Sequence, residues 1–377
     1  MTITFFSNFL LHHQTPFCEA MIRHIGDGFR FVATEPLPEE RLNMGYENME
    51  DAPYAVNAHL DEESYAEAMR LGYESDVVII GSAPDEFIEK RLAENKLTFR
   101  YCERFFKKTR WRFDPRVWRM RYKKDIRYRK KNLHMLCASA YTAPDCRFIF
   151  SYPNKTYKWG YFPKLKEVPF DALRDLKSKD QRINIIWVSR FIKLKHPEEI
   201  IHLAKQLKRD RFDFHIEMLG IGELRNAYED IVAGEGLSDV ISFTGPFAPD
   251  EVLEHMQKAD IFLFTSDKNE GWGAVMNEAM SSACAVVACR EIGSVPFLIE
   301  HGENGLIYDK HGSNSLYHNV KSLIQDKKLR ERLQKNAYDT IKDDWNADAA
   351  TERLLHLINC IQKGTESGYT SGPCSRD

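Results

Sequence analysis

The second half of the chain repeats one local pattern: a short apolar run, a loop bearing glycines or cations, and then a helix. The apolar runs lie at residues 183–188, 214–219 and 261–264. Runs of this length that alternate with helical patterns predict buried strands in α/β units. At 377 residues, the chain is long enough for two such domains, each with a full core.

The loop after the third run places a Gly-x-Gly between two glutamates. Glu270 precedes the glycines, and Glu278 lies in a helical pattern predicted over residues 274–283. A helix start presents free N–H groups and about half a positive charge, and glycines leave that backbone accessible, so we expect a ligand phosphate at this turn. The two carboxylates are at most about 12 Å apart along the helix rise. This layout suits hydroxyls at opposite ends of an extended ligand such as a nucleotide-sugar.

The loops after the first two runs carry complementary chemistry. The first contains Arg190 and Lys195, and fixed cations stabilise the negative charge of a departing nucleoside diphosphate. An isolated pair of this kind is usually a solvated basic loop. The second contains Gly220 and Gly222, which on their own indicate only a tight turn between a strand and a helix.

Together these elements resemble a known family. Glu270-Gly-Trp-Gly, Glu278-Ala-Met and Ala285-Val-Val-Ala match the E-x7-E region of retaining glycosyltransferases of family 4, the glycosyl transferases group 1 family. The resemblance is dense over residues 183–345. It implies the α/β GT-B fold, in which two Rossmann-like, doubly wound domains face each other across a cleft. The family usually has a glycine after Glu-Ala-Met; here residues 281–284 have none, which we expect to alter only the helix end.

The resemblance also implies roles for individual residues. Glu270 would orient the sugar hydroxyls, Glu278 would hold the ribose, and Arg190 with Lys195 would clamp the diphosphate. The implied nucleotide-sugar contacts are Glu278, Gly271, Trp272, Gly273, Gly220, Gly222 and Ser189.

The first half of the chain is expected to bind the acceptor. Apolar runs at residues 3–6 and 76–80 predict strands, and His13 lies in the loop after the first. Histidine is the side chain best suited to proton exchange near neutral pH, so His13 is a candidate contact for donor phosphate or acceptor hydroxyl. A purely local hydrogen-bonding role for His13 is an equal alternative.

A strongly basic stretch interrupts this half. Residues 107–131 hold thirteen Lys or Arg against two Asp, so they carry +11 where the whole chain carries −3 and the remainder −14. A basic helix with interleaved aromatics indicates a membrane surface, nucleic acid or a solvated face. Beside a transferase core the membrane is favoured and nucleic acid is disfavoured. The candidate surface residues are Arg112, Arg116, Trp118, Arg119, Lys123 and Lys124.

The expected organisation is an acceptor domain over residues 1–164, a linker over 165–181 and a donor domain over 182–345. A helix over 346–364 returns to the first domain, and 365–377 form a disordered tail rich in Gly and Ser. The sequence shows no spanning segment or signal peptide, which predicts a cytoplasmic protein with a peripheral contact at the inner face of the plasma membrane. Eight scattered cysteines indicate neither a disulfide framework nor a zinc site.

The sequence thus predicts transfer of a sugar from a UDP- or GDP-sugar to a glycan or lipid-linked acceptor in bacterial surface polysaccharide synthesis. No cofactor or metal is expected, because no Asp-x-Asp motif lies beside these elements and protein cations can replace Mg²⁺. Two alternatives stay open. One is a GT-B-like nucleotide-sugar epimerase, and the other is a non-catalytic protein that binds nucleic acid or another anion through residues 107–131.

Overall fold

The chain folds into two units, each built on one parallel β-sheet. The computed structural model describes residues 1–39, 48–166, 168–177, 182–310 and 315–377. The first unit comprises residues 1–164 and 345–377, and the second comprises 165–344. Parallel sheets with intervening helices confirm the predicted α/β class.

The first unit has a sheet with the order β3-β2-β1-β4-β5-β6-β7, in which every described strand pair is parallel. The order reverses between β1 and β4, as in a doubly wound fold. Its strands are β1 (Ile3–Ser7), β2 (Phe29–Ala33), β3 (Ala55–Asn57), β4 (Val77–Ile80), β5 (Thr98–Cys102), β6 (Leu133–Cys137) and β7 (Thr156–Lys158). Its helices before residue 164 are α1 (Thr15–Ile25), α2 (Glu62–Glu74), α3 (Glu86–Ala93), α4 (Pro115–Lys124) and α5 (Thr142–Phe148).

The second unit has the sheet order β10-β9-β8-β11-β12-β13, again parallel throughout its described pairs. Its strands are β8 (Ile183–Val188), β9 (Phe214–Leu219), β10 (Ile241–Thr244), β11 (Ile261–Phe264), β12 (Ala285–Cys289) and β13 (Leu306–Tyr308). Its helices are α6 (Phe170–Leu176), α7 (Glu198–Arg209), α8 (Arg225–Gly234), α9 (Pro249–Lys258), α10 (Val275–Ser281), α11 (Val295–Leu298), α12 (Leu316–Gln325) and α13 (Lys327–Asp339).

Apolar patterning explains these elements. Strands β4, β11 and β12 are buried at every residue, as expected for central strands covered on both faces. Helix α7 buries one stripe, made of Ile200, Ile201, Leu203, Ala204 and Leu207, and exposes charged residues elsewhere. The core of each unit therefore lies between its sheet and its helices.

The segment expected to be a linker is partly folded into the second unit. Residues 170–176 form α6, and Lys177 is buried with its Nζ donating to the backbone oxygens of Gln257, Ala259 and Ser282. Burial lowers the pKa of this lysine. The charged composition predicted a linker here, but the ammonium of Lys177 is hydrogen-bonded inside the second unit. Residues 167 and 178–181 of the expected linker lie outside the described residues.

The C-terminal segment also differs from expectation. Helix α14 (Ala347–Lys363) packs against α1 within the first unit. Beyond it, the Cys374 N–H donates to the Lys158 carbonyl at 2.8 Å, and the Lys158 N–H donates to the Ser375 carbonyl at 2.9 Å. Cys374 is fully buried. The disordered tail predicted for residues 365–377 is therefore wrong. Composition gave no sign that the open edge of β7 supplies hydrogen-bond partners for this segment.

Candidate functional site

The candidate donor site lies at the carboxyl ends of β8, β9 and β11 in the second unit. Strand β8 pairs with β9 on one side and with β11 on the other, so the sheet order reverses between β8 and β11. Parallel sheets of this kind bind ligands outside the carboxyl ends of the strands, at the point of reversal. The loops after β8 and β11 carry Lys195 and Glu270, respectively, so both residues flank that point.

Lys195 and Glu270 form an ion pair between Nζ and Oε2. Their side chains are 12% and 14% exposed, so the pair is largely shielded from solvent. The Lys195 backbone is fixed as well, because Thr265 Oγ1 donates to its carbonyl at 2.6 Å and Trp187 Nε1 donates to Thr265 Oγ1 at 2.9 Å. The sequence placed these residues on separate ligand groups, whereas the structure joins them directly.

Arg190 has a different environment from Lys195. Its side chain is exposed, and within the described ranges it makes no hydrogen bond or ion pair through its guanidinium. Ser189, next to it, is half-buried, and its N–H donates to the Leu219 carbonyl at 3.0 Å. Arg190 thus supplies an available cation beside a rigid backbone.

Gly220 and Gly222 are required by the protein's own backbone. Both have positive φ, at 148° and 151°. A Cβ on Gly220 would lie 2.0 Å from the Ser189 carbonyl oxygen, and one on Gly222 would lie 2.5 Å from that of Phe191. The two glycines therefore hold the loop after β9 against the loop that carries Arg190.

The turn after β11 is supported from inside the protein. Gly273 has φ of 78°, and a Cβ there would lie 2.3 Å from the Phe264 ring. Trp272 is fully buried, and its Nε1 donates to Asn277 Oδ1 at 2.9 Å. The indole therefore supports the turn from inside, and the nucleotide-sugar contact expected at Trp272 stays a prediction. Gly271 is buried as well.

Helix α10 begins at Val275, one residue later than predicted, and Glu278 lies in its first turn. Its side chain is partly exposed, and in the described part of the chain no group donates a hydrogen bond to its carboxyl. Burial raises the pKa of Glu278 to about 7. An unpaired carboxyl at this position is suited to accepting hydroxyl hydrogen bonds from a ligand.

The end of α10 shows how the missing family glycine is accommodated. Ala283 adopts φ of 55°, a left-handed conformation that usually favours glycine at a helix end. Its N–H donates to Met280 at 3.0 Å, and the Cys284 N–H donates to Ala279 at 3.0 Å. The helix therefore ends in the usual way, with alanine in the strained position.

Asp267 and the role of His196 were not predicted from the sequence. The His196 ring contacts Asp267 through Nε2 at 3.3 Å and Glu198 through Nδ1 at 2.6 Å. The available signal was the polar run Thr265-Ser-Asp267 directly after a fully buried strand, since side chains at a strand's carboxyl end line this type of site.

His13 lies in the first unit, in the loop between β1 and α1. It is half-buried, and its ring stacks on that of Tyr161 with centroids 4.9 Å apart. The Tyr161 hydroxyl donates to Glu103 at 2.9 Å, and Lys107 Nζ donates to the other Glu103 oxygen at 2.7 Å. His13 therefore belongs to a packed polar group at the carboxyl edge of the first sheet.

The basic stretch is partly neutralised by the fold. Asp114 caps α4 by accepting from the Arg116 N–H at 2.9 Å. Arg112 faces Asp145 and the Phe148 ring, and Trp118 Nε1 donates to the Arg112 carbonyl at 2.8 Å. Arg112 and Trp118 are thus engaged with the protein, although the Arg112 side chain is 39% exposed, and their contact with a membrane surface stays a prediction.

The outward face of α4 is still cationic. Arg116, Arg119 and Lys123 are exposed and recur at helical spacing, and Lys124 is half-buried. Arg116 pairs with Asp114, whereas Arg119 and Lys123 have no carboxylate partner among the described residues. Phe113, just before the helix, is 79% exposed.

The described residues offer neither a metal cluster nor a membrane-spanning helix. They contain no group of three or more His, Cys, Asp or Glu side chains placed to hold a metal ion. They also contain no helix with the length and apolar character needed to cross a bilayer.

Comparison with known proteins addresses the second unit directly. The sequence model of the family described as glycosyl transferases group 1 matches residues 171–340. The matched range is a little less than half of the chain. The Glu270 turn, the Lys195 loop and the glycines at 220 and 222 all lie inside this range, which we call the group 1 domain.

Individual relatives match about half of the chain's length. An uncharacterized glycosyltransferase of Methanocaldococcus jannaschii is 30% identical over 157 residues, covering 42% of each chain. The alpha-D-kanosaminyltransferase of Streptomyces kanamyceticus is 28% identical over 189 residues, covering 50% of this chain and 48% of the relative. The chain thus spans about half, or less, of the length of these curated relatives.

Solved structures extend the likeness of the fold to the whole chain. The Anabaena protein HepE in complex with UDP superposes with a TM-score of 0.67 at 13% identity, covering 95% of this chain and all of HepE. At that identity the likeness concerns the fold. The group 1 domain and the parallel-sheet unit before it confirm the predicted GT-B class.

Proposed function

We propose that the chain is a retaining glycosyltransferase that moves a sugar from a UDP- or GDP-sugar to a hydroxyl of a glycan or lipid-linked acceptor. The observation that carries the proposal is the Lys195–Glu270 pair at the reversal point of the group 1 domain's sheet. The cation suits the leaving diphosphate at one end of the reacting bond, and the carboxylate suits the hydroxyls of the transferred sugar at the other end.

The donor binds with its diphosphate between the Lys195 loop and the glycine turn that opens α10. Arg190 is exposed and Lys195 is partly exposed, so both are available to phosphate oxygens. The first N–H groups of α10 add a fixed positive end. Glu278, which lacks a hydrogen-bond donor in the described structure, takes the ribose hydroxyls, and Glu270 takes hydroxyls of the sugar.

In the reaction, the bond between the anomeric carbon and the phosphate oxygen breaks, and its electron pair leaves with the diphosphate. Lys195 and Arg190 stabilise that charge. The acceptor hydroxyl forms the new bond from the face that the diphosphate leaves, so the configuration is retained. Its proton passes to the departing phosphate oxygen, and the protein supplies no nucleophile. We propose that no metal is needed, because cations of the chain hold the diphosphate.

The first unit is proposed to bind the acceptor, with His13 as a candidate contact. The exposed cationic face of α4 would hold this unit against anionic lipid at the inner face of the plasma membrane, where lipid-linked acceptors occur. On resemblance, the product is a bacterial surface polysaccharide.

The test is a panel of UDP-, GDP-, ADP- and CMP-linked sugars, measured for binding and slow hydrolysis. We expect one donor to bind and be hydrolysed, Lys195→Ala to lose affinity for it, and Glu270→Ala to lose turnover. Donor conversion to an epimer without any acceptor would instead favour the epimerase. Failure of every donor to bind would reject the transferase and favour an anion-binding role for residues 107–131.

A further inference from the structure

His196 occupies a backbone conformation that few residues adopt. It follows Lys195 at the end of a short turn over Lys193–Lys195 and has φ of 51° and ψ of 55°. The left-handed backbone conformation is disfavoured for residues that have a Cβ, although His adopts it more often than most of them. Because strained residues of this kind cluster at functional sites, the conformation of His196 motivates a functional hypothesis.

The imidazole bridges two carboxylates on different elements. Nδ1 lies 2.6 Å from Glu198 on α7, and Nε2 lies 3.3 Å from Asp267 in the loop after β11. Glu198 also accepts from the Tyr228 hydroxyl at 3.0 Å. Burial raises the pKa of Glu198, but hydrogen bonds from His196, the backbone and Tyr228 bring it below its ordinary value.

Asp267 connects this bridge to the reacting groups. Its N–H donates to the Leu194 carbonyl at 3.0 Å, and its carbonyl accepts from the Glu270 N–H at 3.0 Å. Its Oδ1 accepts from the backbone and side chain of Asn269 at 2.8 and 2.9 Å. The residue whose carboxylate meets His196 is therefore bonded, through its backbone, to the residue before Lys195 and to Glu270.

We propose that His196 is a positioning residue for transfer. Its bridge fixes the Lys195 loop against the Glu270 loop, so the cation for the diphosphate and the carboxylate for the sugar keep their spacing when a donor displaces part of their ion pair. The inference rests on the proposed transferase function. Small displacements of groups that orient a reacting bond cost large factors in rate, because the bound geometry sets the barrier.

The test compares His196→Gly with the wild type, using the donor identified by the panel. Glycine adopts the left-handed conformation without strain, so the variant removes the imidazole and keeps the backbone. We expect kcat to fall by a factor of about 10 to 100, on the scale of a misplaced orienting group. We expect KM for the donor to change less than kcat and the thermal midpoint to stay close to that of wild type. Unchanged kcat in His196→Gly would show that only the turn matters and would overturn the proposal.

Asp267→Asn provides a second route, which serves if the glycine variant does not fold. It keeps an acceptor oxygen at Oδ1 for Asn269 and replaces the charged Oδ2 that faces His196 with a neutral amide nitrogen. We expect a similar loss of kcat, and no further loss when the two substitutions are combined, because both break one bridge. Independent, multiplying losses would reject the bridge. A wild type that turns over no donor would reject the transferase and this inference together, whereas an active wild type with an equally active His196→Gly would reject the inference alone.

Discussion

Lys195 and Glu270 neutralise each other across two loops that approach from opposite sides of a reversal in strand order. Each side chain therefore has a partner before any ligand binds. Donor binding exchanges part of this protein contact for contacts with diphosphate and sugar hydroxyls. Both groups stay oriented and avoid the penalty of burying an isolated charge.

The pair should show strong coupling in stability. Lys195→Ala and Glu270→Ala are each expected to lower the unfolding free energy by about 1–2 kcal/mol, because each leaves a shielded charge unpaired. The double variant should lose less than the sum, as measured by urea unfolding in a double-mutant cycle. Additive losses would mean that the contact contributes nothing.

Gly220→Ala should be severely destabilising. Its Cβ would lie 2.0 Å from a backbone oxygen at a positive φ, so either the loop moves or the protein unfolds. We expect a loss of roughly 2 kcal/mol or more in thermal or urea unfolding. Gly234→Ala is the matched control: it lies in α8, a Cβ there meets nothing within 4 Å, and alanine favours a helix. Equal effects of the two variants would contradict the packing argument.

Glu278 should make stability depend on pH. Its pKa is raised by burial to about 7 in the folded chain from an ordinary 4.5, so its stabilising effect is complete below about pH 4.5 and is lost as the pH rises through 7. Glu278→Gln is neutral throughout. The variant should therefore gain stability relative to wild type with rising pH, by at most about 3 kcal/mol and by less where solvent screens the carboxyl. Unfolding curves at pH 5 and 8 measure this, and a pH-independent difference would disagree with it.

The outward face of α4 should govern binding to vesicles. Arg119→Glu with Lys123→Glu is expected to weaken flotation with anionic vesicles at least tenfold, since each cation near an anionic surface contributes about 1 kcal/mol. Lys258→Glu with Lys328→Glu changes the net charge equally at exposed sites in the second unit and should have little effect. If the wild-type protein floats equally with neutral and anionic vesicles, the proposed contact with an anionic membrane surface is wrong.

Activity should not require a divalent metal. We expect EDTA to leave the turnover of the identified donor within about twofold of its untreated value, because protein cations take the role of the ion. Loss of activity with EDTA and recovery with Mg²⁺ would require a metal-bound diphosphate instead.

Much of the second unit could be predicted because its strands are uninterrupted apolar runs. Strands β8, β9 and β11 begin and end at the predicted residues. Helix ends were less certain, since Ala274 and Ala283 fit a helix by composition but lie outside α10. Ala283 in a left-handed conformation could not be anticipated, because local preference there is overridden by the packing of a buried residue.

The sequence indicated which residues lie at the site better than it indicated what each of them contacts. Charge and spacing pointed to Lys195, Glu270 and Glu278, yet the Lys195–Glu270 pair depends on contacts between loops 75 residues apart in sequence. The resemblance implies a ligand contact at Trp272, and only the fold shows that its ring is inside. The bridge through His196 likewise depends on a tertiary contact, with Asp267.

The contact of residues 374–377 with β7 bears on self-association of the protein. An outermost strand with free N–H and C=O groups is a template on which another copy of the same strand can add, and such edges drive self-association. Residues 374–377 occupy that template through their bonds to Thr156 and Lys158. A protein expressed without residues 365–377 should therefore aggregate more readily during purification. This is expected even though every residue with a proposed role in binding or catalysis would still be present.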